Sequence, residues 1–113
     1  MNGNLNVMHK LLVTIVKKGM AKKIVKASKE AGAEGGTIIM GKGTGIHDLK
    51  SFFGITIEPE KEVILTLIHK DKLNQVMEAV IAAGSLDKPG YGIAFVIDVK
   101  KVAGIVHLLR QKV

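Results

Sequence analysis

A chain of 113 residues, 47 % hydrophobic but only 4 % aromatic, is long enough for one packed domain and too short for two, and its core must come from Val, Ile, Leu, Ala and Met. It has no cysteine, which excludes a disulfide framework and a thiolate metal site. A net charge of +7 favours phosphate-bearing partners without choosing among nucleotide, nucleic acid and an anionic membrane.

The first element expected is a buried strand over Val7 to Val16, nearly all apolar and biased to β-branched residues at its end. Met20, Ile24, Ala27 and Ala31 then recur at helical spacing, with Gly32 as the stop. Lys22, Lys26 and Lys29 fall on one face of that helix, as on a solvated surface. A second strand is expected from Thr37 to Met40, and a third from Glu62 to Ile68. Leu73, Val76, Met77, Val80 and Ile81 mark an amphipathic helix that starts near Asp71 and stops at Gly84. A glycine-rich turn, residues 84–92, opens into a fourth strand from Ile93 to Val99. The apolar tail, Val102 to Leu109, fits a further strand or a helix docked on a neighbour.

No apolar run approaches the ~20 residues of a membrane span, and MNGNLNVMHK has no apolar stretch of signal-peptide length, so a cytoplasmic protein is expected. With no repeat and no linker, the chain is expected to be a single domain over residues 1–113. Its order, β-α-β-loop-β-α-β, is that of an α+β ferredoxin-like βαββαβ fold, with both helices on one face of an antiparallel four-stranded sheet. The strands carry few polar residues in alternation, so the face away from the helices is also apolar. Self-association is the simplest way to cover it.

The segment from Gly35 to Phe53, GGTIIMGKGTGIHDLKSFF, is the richest in chemistry. A strand runs into Gly41-Lys42-Gly43-Thr44-Gly45, whose glycines let backbone N–H groups converge beside a cation, as an anion requires. The ordinary alternative is a tight strand exit needing positive φ. Beyond it lies a loop too long for a hairpin. Phe52 and Phe53, adjacent in an aromatic-poor chain, are either an anchor for a partner protein or a loop folded back on its own assembly.

Lys42-Gly43-Thr44-Gly45, the long loop, and Gly90-Tyr91-Gly92 leading into Phe95-Val96-Ile97-Asp98-Val99 together resemble the PII signal-transduction proteins, from about Lys10 to Ile105. Gly-Lys-Gly-Thr-Gly with Phe-Gly-Ile and Ile-Glu-Pro-Glu-Lys-Glu is similar to a divergent branch of that family. The resemblance implies a homotrimer with inward-facing sheets, adenine nucleotide (ATP, ADP or AMP) bound between subunits, and signalling through the long T-loop, about residues 43–58, to a target protein such as a membrane transporter. Carried over by position, Ile15, Thr37 and Leu67 would line the adenine pocket, and Gly43, Thr44 and Gly45 would frame the loop root. Gly90 and Gly92 would offer N–H groups to phosphates. Lys61 matches the lysine that in central members helps hold an acidic effector.

The departures are equally specific. His47 stands where central regulators have a glutamine that helps hold magnesium and 2-oxoglutarate, so a role for magnesium is left open. Ile93, Gly104 and Val106 replace three phosphate-contacting cations, leaving Lys88, His107 and Arg110 as substitutes. The loop holds no tyrosine, so uridylylation at the family's usual site is not expected.

His47 and Asp48 are better read as a surface pair than as metal ligands, and His9, His69 and His107 have no mutual spacing that would assemble a site. No triad or carboxylate pair supports catalysis, so the chain is read as a non-enzyme. Two other classes stay open: a nucleic-acid-binding ferredoxin-like module, which the charge permits but which would need exposed sheet aromatics, and a small-molecule sensor that binds no nucleotide.

Overall fold

The computed structural model describes residues 8–43, 50–52, 55–57 and 59–104. The elements run β1 (His9–Lys17), α1 (Ala21–Glu30), β2 (Thr37–Lys42), β3 (Lys50–Phe52), β4 (Ile55–Ile57), β5 (Glu60–His69), a 3-10 turn (Lys70–Lys72), α2 (Leu73–Gly84) and β6 (Gly92–Asp98). The main sheet has the order β2-β5-β1-β6, every neighbouring pair antiparallel. That is the expected ferredoxin-like arrangement. Within the long loop, β3 and β4 form a separate two-stranded pairing, with Phe52 opposite Ile55.

Parity divides the sheet. Leu12 and Val16 of β1 and Ile64 and Ile68 of β5 face the helices, where they meet Ala21 and Ile24 of α1 and Val76 and Val80 of α2 in one buried cluster. Thr14 and Thr66 share that face and are buried with it. Thr14 Oγ1 has no hydrogen-bond partner, so a hydroxyl is desolvated there without compensation.

Each helix is fastened by a contact from outside itself. The N-cap position of α1 is Met20, which supplies no side-chain cap. Glu62 of β5 substitutes: its Oε1 accepts the N–H groups of Gly19 at 3.0 Å and Ala21 at 2.8 Å. A carboxylate is thereby placed against the positive end of the helix. Downstream, Gln75 Nε2 donates to the Ala31 carbonyl at 2.6 Å and ties the end of α1 to α2.

Several boundaries move from those expected. β2 continues through Gly41 and Lys42, opposite Lys61 and Glu60, because pairing with β5 extends it past its last apolar side chain. β5 likewise begins at Glu60 rather than Glu62. Gly84 is not the stop of α2 but its last helical residue. A Cβ there would lie 3.1 Å from Leu86 Cδ2 and 3.2 Å from Ile24 Cδ1, so this glycine serves close packing. Ser85 takes the left-handed conformation instead, at φ 53°, and Leu86 N–H closes the turn onto the Ile81 carbonyl. Val99 and residues 101–103 are neither helix nor strand, and the rest of the tail lies outside the described residues.

Candidate functional site

The face of the sheet turned away from the helices is built of successive cross-strand rows. Ile39, Val63, Ile15 and Ile93 form one, and Thr37, Leu65, Val13 and Phe95 the next. Ile39, Ile93, Phe95 and Ile97 are 40–57 % exposed. No described element covers this face. An apolar sheet surface of this extent is characteristic of association.

The end of this face nearest the long loop carries the chemistry. There Lys61 lies opposite Gly41 on one side and Lys17 on the other. Lys61 is 8 % exposed, and a Cβ on Gly43 would be 3.7 Å from its Cγ. The Lys17 ammonium stands 5.9 Å from the centroid of the Tyr91 ring, within reach of a cation–π contact. Both glutamates at this end point to the helix side: Glu62 caps α1 and Glu60 pairs with Lys18 at 3.1 Å.

The two glycine turns differ from their expected form. Neither Gly41 nor Gly43 has positive φ. Gly43 N–H donates to the Pro59 carbonyl at 3.3 Å. The loop root is thus a continuation of the β2–β5 ladder, with that N–H already committed, and the positive-φ strand exit does not occur at these positions. In the second turn, Gly90 and Gly92 do have positive φ, 83° and 145°. A Cβ on Gly92 would fall 2.4 Å from the carbonyl oxygen of Ile15, so closeness to β1 by itself demands glycine there. Lys88 is exposed, its N–H donating to the Ser85 carbonyl and its carbonyl accepting from Tyr91.

Ile15, Thr37 and Leu67 all lie on the open face, in three successive rows, with Leu67 diagonal to Thr37 across β2 and β5. Lys61, Gly43, Gly90 and Gly92 gather at its loop end, while Thr44, Gly45, His47 and Phe53 lie outside the described residues, as do His107 and Arg110. Phe52 ends β3. Phe95 is an exposed aromatic of the sheet without a second beside it in its row.

At the opposite end, β1–β5 pairing places His9 against His69, their rings edge to face with centroids 5.7 Å apart. Sequence separation conceals this register contact between two of the histidines. His69 Nδ1 accepts the Asp71 N–H at 3.1 Å and so caps the 3-10 turn. Among the described residues no group of three or more metal-binding side chains assembles.

The family model for nitrogen regulatory protein P-II matches residues 9–107. The chain belongs to this family. Among solved structures, Arabidopsis thaliana PII bound to citrate superposes with a TM-score of 0.68 over 88 % of this chain and 84 % of that one. The two are 19 % identical, so the likeness is one of fold. No curated protein matches the chain. Membership makes it a regulatory protein of the PII type. Among its described residues, no helix is long and apolar enough to cross a membrane.

Proposed function

We propose that the protein is an effector-responsive regulator that assembles as a homotrimer through its open sheet face and binds an adenine nucleotide at the loop end of that face, between subunits. Occupancy is relayed through residues 43–58 to a target protein in the cytoplasm, with a membrane transporter or its regulatory domain as the favoured class. The observation that carries this reading is the apolar open face running without interruption into a cationic loop root. A face that needs a partner subunit adjoins a site that needs an anion, so assembly and binding share one surface.

The reading of the relay is mechanical. Because Gly43 is hydrogen-bonded to Pro59, the two ends of the loop are clamped side by side, and a ligand at this clamp restricts the conformations open to the segment between them. The citrate of the plant relative supports a small anionic effector as the ligand class. Phe52 and Phe53 are the proposed partner anchors.

Titration calorimetry with ATP, ADP, AMP and cyclic AMP, with and without magnesium, tests the binding step. Saturable heat from at least one nucleotide is expected, and silence from all four would leave the fold standing but not this function.

A further inference from the structure

Lys22 and Lys23 occupy the first turn of α1, and no acidic residue accompanies them there. A cation in that turn opposes the positive end of the helix and lowers its stability. The outer surface of α1 nevertheless continues with Lys26 and Lys29, and all four lysines are exposed. None has an ion-pair partner among the described residues. A charge array kept against the helix's own stability points to a use outside the fold.

These lysines border exposed apolar side chains. A Cβ on Gly36, just before β2, would lie 3.5 Å from Val25 Cγ2, so this flank of α1 lies along β2. Lys22 and Lys29, at i−3 and i+4 from Val25, fall on the same flank. Ile38 and Met40 of β2 are opposite Ile64 and Glu62 and share their side of the sheet, yet they are 40 % and 51 % exposed. β2 is an edge strand, and the helices leave it uncovered. Met40 is level with the first turn of α1, since Glu62 opposite it accepts the Ala21 N–H. Lys42 continues this side of β2 to the loop root, where Glu60 opposite it is already paired with Lys18 at 3.1 Å.

We infer that this α1–β2 flank rests on an anionic bilayer surface, with Lys22, Lys26, Lys29 and Lys42 among the headgroups and Ile38 and Met40 entering the apolar boundary. Apolar side chains set among lysines are the composition of an interfacial membrane contact. Lysine stems lie along apolar surface while their charges reach the headgroups. Every cation of the flank is lysine, a point charge suited to a diffuse headgroup layer, with no arginine fork to read one carboxylate or phosphate. The flank also includes no aromatic ring on which a nucleic-acid base could stack. It is on the helix side of the sheet, opposite the face proposed to assemble, so association through that face leaves it outside. Lys42 adjoins residues 43–58, so docking holds that loop at a membrane, a consequence that rests on the function proposed above.

The test sediments wild type and variants with vesicles of phosphatidylcholine alone or mixed with phosphatidylglycerol, and titrates the same proteins with AMP. Wild type is expected to bind the mixed vesicles and not the neutral ones, with affinity falling as salt is raised. The Lys22→Gln, Lys26→Gln double variant should bind about tenfold or more weakly, whereas Lys22→Arg with Lys26→Arg retains binding. Met40→Gln should weaken it by a smaller factor. Lys70→Gln with Lys72→Gln removes the same charge beyond the far end of β5 and should change binding little. An equal loss in both glutamine pairs would show attraction by net charge alone and overturns the inference. Tighter binding to a polyglutamate peptide or to single-stranded DNA, in the same salt, overturns the lipid assignment. Absence of binding to the mixed vesicles overturns the membrane contact and leaves the nucleotide reading standing. Vesicle binding without any response to AMP supports the contact and counts only against the nucleotide. Unaltered circular dichroism in the variants establishes that they are folded.

Discussion

Gly92 and Ile15 are as close as two strands permit: a Cβ on the glycine would stand 2.4 Å from the isoleucine's carbonyl oxygen and 2.9 Å from Val16 Cγ1. The obstacle is backbone, which cannot turn aside as a side chain can. At φ 145° the position is also one that L side chains rarely adopt. Gly92→Ala is expected to cost about 3 kcal/mol of folding stability, read from urea unfolding. Loss of ligand binding in such a variant would report a damaged β1–β6 edge and not a phosphate contact, so a bulky residue at 92 is a poor probe of the site. Stability equal to wild type would mean that the strands separate more easily than the geometry implies.

Thr14 is buried with its hydroxyl unpartnered. Thr14→Val keeps the β-branched shape suited to a strand and removes the desolvated hydroxyl. A gain of about 1 kcal/mol is expected, seen as a higher urea midpoint with unchanged slope. A lower midpoint would show that the hydroxyl has a partner in solution.

Much of the fold was legible in the chain. The strands and helices follow from apolar periodicity, and the uncovered apolar face from the scarcity of polar residues in alternation. What escaped is what depends on register. No local pattern announces that Glu62 caps a helix 41 residues earlier in the chain, that His9 meets His69, or that Lys17 and Lys61 are cross-strand neighbours. Gly84 shows the converse error. A glycine at a helix end reads as a stop, yet tight contact with Ile24 and Leu86 fixes it inside the helix, and Ser85 bears the strained conformation. At the loop root the glycines were legible as a group, but the commitment of Gly43 N–H to Pro59 was not, since it requires the partner strand.

Glu62 supplies the cap that Met20 does not. Glu62→Ala is expected to destabilise the protein by about 1–2 kcal/mol and to speed amide exchange in the first turn of α1. Glu62→Gln, which keeps an acceptor oxygen, should recover most of that loss. If Gln and Ala behave alike, the carboxylate's charge against the helix end matters more than its hydrogen bonds.

Phe95 is 40 % exposed on the open face. Phe95→Glu places a charge where a second subunit is proposed to pack, and burying it unpaired would cost more than the association can supply. Sedimentation velocity is expected to find a trimer for the wild type and a folded monomer for the variant. A wild-type monomer at micromolar concentration would refute the assembly.

The most direct test of regulation is hydrogen exchange of the wild-type protein with and without saturating AMP. Slower exchange at Lys88–Gly92, together with slower exchange across residues 43–58, is the expected result, since a ligand at the clamp must be felt along the loop. Slower exchange confined to the second turn, with residues 43–58 unchanged, would mean that binding is not relayed and would contradict the account.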